Sequence, residues 1–63
     1  MILTHPTIGA MSIEIRTDPD DRFTIHVAAG TGGHWAVAAH LEWADAQDDF
    51  TRRVTAARTK GWA

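Results

Sequence analysis

Residues 30–43 read GTGGHWAVAAHLEW, and the reading of residues 35–43 decides the fold. With period 2, Trp35, Val37, Ala39, Leu41 and Trp43 share one face, while His34, Ala36, Ala38, His40 and Glu42 share the other. That alternation belongs to a half-buried strand. With period 3.6, Trp35, Ala39, Trp43, Ala46, Phe50, Val54 and Ala57 line up instead, and a β-hairpin would be followed by one long helix over about 34–60. The alanines favour helix. The large apolar side chains favour strand, because the helix leaves Val37 and Leu41 off its stripe. A helix of some 26 residues, about 39 Å long, would also overhang the strands before it. The strand is therefore the preferred reading and the long helix its rival.

Working outward, Met11, Ile13 and Ile15 alternate with Ser12, Glu14 and Arg16, and Phe23, Ile25 and Val27 alternate with Arg22, Thr24 and His26. Both runs read as strands. Between them, Asp18-Pro19-Asp20-Asp21 suits a type I turn with Pro19 second and Asp21 in the left-handed region. That loop sets Ile13 against Val27 and Ile15 against Ile25, with the apolar sets on one side. Gly30-Thr31-Gly32 reads as a second three-residue loop with Gly32 left-handed. It sets Val27 against Trp35, Ile25 against Val37 and His26 against Ala36.

Downstream, Ala46, Phe50, Val54 and Ala57 recur at helical spacing. Asp45 is the expected cap, and the pairs Asp48–Arg52 and Asp49–Arg53 have i,i+4 spacing. Gly61 is a natural left-handed terminator, with Trp62 folding back on Ala56 and Ala57. The expected fold class is α+β: a three-stranded antiparallel β-meander with one C-terminal helix on its apolar face (β-β-β-α). Residues 1–10 show no clear period and are expected to form an N-terminal arm that need not be ordered. Residues 11–63 form a single small domain.

A chain of 63 residues without cysteine has little core and no disulfide to support it. A second subunit is the favoured support. The net charge of −2 argues weakly against general nucleic-acid binding. No apolar run reaches membrane-span length, the start does not read as a signal peptide, and a cytoplasmic location is the default.

The glycines do not make a phosphate loop, since neither a Walker lysine nor GxGxxG spacing follows. His26, His34 and His40 share the outer face in the strand reading, but His40 stands four residues beyond the other two. Ligand nitrogens must all approach a metal to about 2 Å, so no metal site is expected within one chain; one shared across a dimer axis stays open. No cofactor and no catalytic residue are expected, since no nucleophile, base and orienting group converge.

The expected function is a small non-catalytic protein-interaction module: a regulator, inhibitor or accessory subunit. Homo-oligomers or a host protein are its expected partners. The candidate interface is the smooth outer face, His26, His34, Ala36, Ala38 and His40, with the third-strand edge. The alternative is a nucleic-acid-binding transcriptional regulator using Arg52, Arg53, Arg58 and Lys60 on the last helix.

Overall fold

The computed structural model describes residues 1–30 and 33–63. Four strands, β1 (Ile2–His5), β2 (Gly9–Thr17), β3 (Phe23–Ala29) and β4 (Gly33–His40), precede one helix, α1 (Trp43–Thr59). The strands form one antiparallel sheet in the order β1-β2-β3-β4. The α+β class holds and the rival long helix does not. The strand count is corrected from three to four. Residues 2–5 pair with β2, placing Leu3 opposite Met11 and Ile2 opposite Ser12. Four residues are too few to display a period, so the pairing left no pattern to read.

The first expected loop forms. Asp21 is left-handed at φ 63°, and its N–H donates to the Asp18 carbonyl at 3.1 Å. Ile13 pairs with Val27 and Ile15 with Ile25, so the loop chemistry sets the register as expected. The expectation for Gly32 falls outside the described residues.

β4 departs from simple alternation. Val27 pairs with Trp35 and His26 with Ala36, but Ile25 pairs with Ala38, with a register irregularity at that step. Val37 is the extra residue of a β-bulge, which turns every later side chain to the opposite face. Ala38 thus packs on the core, and His40 points to the helix. The expected pairing of Ile25 with Val37 is corrected accordingly. So is the expected burial of Trp35, Val37, Leu41 and Trp43: all four are exposed, Leu41 to 73% and Trp35 to 52%. A small side chain beside Ile25 lets α1 approach the sheet closely, and Ala46 of α1 is completely buried there. β4 also ends at His40, earlier than expected, and Trp43 begins the helix.

The core lies between one sheet face and α1. Its buried apolar residues among those described are Leu3, Ile13, Ile25, Ala46 and Val54, flanked by Met11, Ile15, Phe23, Phe50 and Trp62. The helix cap is Glu42, without a side-chain hydrogen bond, rather than Asp45. At the other end, Trp62 N–H donates to the Ala57 carbonyl and Gly61 N–H to that of Arg58, both at 3.1 Å. This is a Schellman closure, with Gly61 at φ 102°. It carries the chain to β1, where Ala63 and Thr4 exchange backbone hydrogen bonds of 2.8 and 2.9 Å. The outer edge of β1 is thereby partly closed, while β4 is the other edge of the sheet.

Candidate functional site

The sheet face turned away from α1 carries no covering layer among the described residues. Its side chains are the alternates of the core set: Ile2 and Thr4 on β1, Ala10, Ser12, Glu14 and Arg16 on β2, Thr24, His26 and Ala28 on β3, and His34, Ala36 and Ala39 on β4. One end is tied down where the Thr24 hydroxyl donates to Asp18 Oδ2 at 2.5 Å. On β2, Arg16 Nε donates to Glu14 Oε1 at 2.9 Å. That bond to the guanidinium holds the Glu14 carboxyl below the usual range, so the face carries a neutralised pair rather than a bare charge.

Beside that pair lies a shallow depression of about 200 Å³ lined by Ile2, Ala10, Met11, Ser12, Ala28 and Gly30. Ile2 stands at its rim, 74% exposed. Small residues make the floor and one branched side chain projects from it. This relief comes from the segment expected to be an arm. Only the pairing of Ile2 with Ser12 reveals it, and sequence spacing gave no signal.

Of the five expected interface residues, the structure brings His26, His34 and Ala36 together on this face. His26 and His34 lie on diagonal positions of β3 and β4. Their rings stack at 4.8 Å between centroids and 16° between planes, and His26 Nδ1 lies 3.0 Å from His34 Nε2. The remaining ring nitrogen, His26 Nε2, is buried without a hydrogen-bond partner among the described residues. The expected three-histidine face is corrected, because the bulge moves Ala38 and His40 to the helix side.

There His40 Nε2 sits 2.6 Å from Asp49 Oδ2, while Arg53 Nε donates to Asp49 Oδ1 at 2.6 Å. The two bonds, that with His40 foremost, hold the Asp49 carboxyl below the usual aspartate range. The expected Asp49–Arg53 pair is present, and so is Arg52–Asp48 at 2.9 Å. Two of the four cations of the nucleic-acid reading are therefore neutralised by their own helix. Arg58 and Lys60 have no ion pair among the described residues. A second cleft, about 280 Å³, lies between sheet and helix, with Arg53 and Lys60 beside Met11, Val27 and Trp62.

Among the described residues no three histidine, aspartate or glutamate side chains cluster to hold a metal, and no helix is long and apolar enough to cross a membrane. Comparisons with protein families, curated proteins and solved structures find no match.

Proposed function

We propose that the protein is a non-catalytic interaction module that works as a homodimer, two copies meeting through their outer sheet faces, and that it acts as a regulator, inhibitor or accessory subunit. The observation that carries this reading is the relief of that face: an exposed Ile2 beside a small-residue depression. A two-fold axis makes such a surface complementary to itself, each Ile2 entering the other copy's depression. Size agrees. The broad face of a body measuring 38 × 23 × 13 Å matches the roughly 800 Å² per partner of a standard interface. Charge agrees as well, because Glu14 and Arg16 neutralise each other.

The β4 edge contributes less than its sequence suggests, because a bulge bends a strand away from regular pairing. The nucleic-acid reading has only Arg58 and Lys60 without a carboxylate partner, and it gains no support from the fold.

Sedimentation across a concentration series in the presence of a chelator tests the proposal. Dimers are expected at high micromolar concentration. Ile2→Lys and Ala36→Lys change exposed side chains and should each weaken association at least tenfold, since a desolvated lysine opposes burial. Thr51→Lys, exposed on α1 and so away from that face, should not. A monomer throughout, or dissociation only by Thr51→Lys, overturns the proposal.

A further inference from the structure

The sheet face joins two copies, in the reading above, and that reading bears on the histidine pair. We infer that His26 and His34 form half of a divalent transition-metal site, completed by the same two residues of a second copy across the two-fold axis. The inference rests on the homodimer proposed above.

Three features converge on it. The first is spacing. Two imidazole nitrogens each about 2.0–2.1 Å from a tetrahedral zinc stand about 3.3 Å apart. His26 Nδ1 and His34 Nε2 are already 3.0 Å apart. The near-parallel rings, 16° between planes, do not yet aim both lone pairs at one point. His34 is exposed on the sheet surface, so a rotation of its side chain supplies the missing convergence.

The second is the unused nitrogen. Ligating histidines usually donate their other N–H to a carboxylate or carbonyl. His26 Nε2 is buried without a hydrogen-bond partner among the described residues, and Glu14 faces His26 across the β2–β3 pairing. With the metal on Nδ1, Nε2 carries the proton and Glu14 is the nearest cross-strand carboxylate to receive it. Glu14 is thus a positioning residue, shared between Arg16 and His26.

The third is incompleteness. One chain offers two nitrogens and no third ligand among the described residues. Two chains offer four imidazoles, a set that suits zinc, copper or nickel rather than calcium or magnesium. Closing the site therefore requires the second copy. Neutral imidazole binds the metal, so the proton shared between the two rings is exchanged through solvent to a nitrogen facing away from the metal, and each ring keeps one proton.

Calorimetric titration of the untagged, chelator-stripped chain with zinc, alongside sedimentation with and without zinc, tests this. One zinc per two chains is expected, bound by dimers. His34→Gln, an exposed change that should leave the circular dichroism intact, is expected to lower zinc affinity more than tenfold, and Glu14→Gln about tenfold. His40→Gln should bind zinc normally. Zinc-insensitive dimers with no heat of binding overturn the metal site and leave the dimer standing. Monomers under all conditions overturn both. One zinc per monomer, or full affinity in His34→Gln, overturns the shared site. Dimers that form only with zinc support the site and contradict a metal-free dimer.

Discussion

Asp49 concentrates the polar energetics of the helix side in one carboxylate. Its side chain is only 15% exposed and joins β4 to α1 through His40 while holding Arg53 from below. Hydrogen bonds to a charged group contribute about 1.5–3 kcal/mol when shielded from water, and the exposure of Arg53 reduces that. Asp49→Ala should therefore cost about 1–3 kcal/mol in chemical denaturation. The pH dependence has a definite sign. Asp49 has a lowered carboxyl pKa in the folded chain, so its contribution is complete above about pH 4, where an unfolded aspartate titrates. It disappears as pH falls through the lowered folded value. Asp49→Asn should flatten the acid limb of the melting curve below about pH 4. An unchanged limb would mean that the bond with His40 contributes nothing. The pair Asp49–Arg53 was legible from i,i+4 spacing. His40 was not, because a single inserted residue upstream decides which way it points.

Between elements, the closure of α1 onto β1 joins the two ends of the chain. Gly61 holds a left-handed conformation, and a methyl group on it would come within 3.0 Å of His5 Nε2. His5 in turn lies 5.3 Å from the Trp62 ring. Gly61→Ala should cost roughly 1–3 kcal/mol and accelerate amide exchange at Thr4, which depends on Ala63. Rapid exchange at Thr4 in the unaltered chain would contradict this closure. The Gly61–Trp62 signal was plain in the sequence because caps are local. The hairpin register of β2 and β3 was plain for the same reason: Pro19 and Asp21 specify their loop. By contrast, β1 is set by its backbone pairing with β2 and Ala63, and the Val37 bulge by the pairing of Ala38 with Ile25, neither of which shows in the periodicity of the segment itself. The alternation in residues 35–43 identified a strand correctly yet misassigned the faces of its second half. A bulge alters no composition and carries no mark of its own when the extra residue is valine.

For the whole molecule, the central fact is one-sidedness. Among the described residues the buried apolar side chains lie on one side of the sheet, Leu3, Ile13 and Ile25 against the helix residues Ala46 and Val54, while the other side carries no covering layer among them. Antiparallel sheets tolerate one wet face when it is polar. This one carries Ile2, Ala10, Ala28 and Ala36 around a histidine pair, and in the homodimer we propose a second copy is the missing layer. Sequence composition pointed to that need, since 63 residues without cysteine leave little to stabilise a lone domain. Of the three histidines that alternation set on the outer face, His26 and His34 stand there, and the exposed Ile2 beside them left no signal in the sequence. Backbone amide chemical shifts followed from dilute to high micromolar concentration, in chelator, test the account most directly. Concentration-dependent shifts confined to Ile2, Ser12, Ala28, His34 and Ala36 are the predicted result. Spectra that do not change with concentration, or changes confined to α1 and the Trp62 cleft, would contradict it.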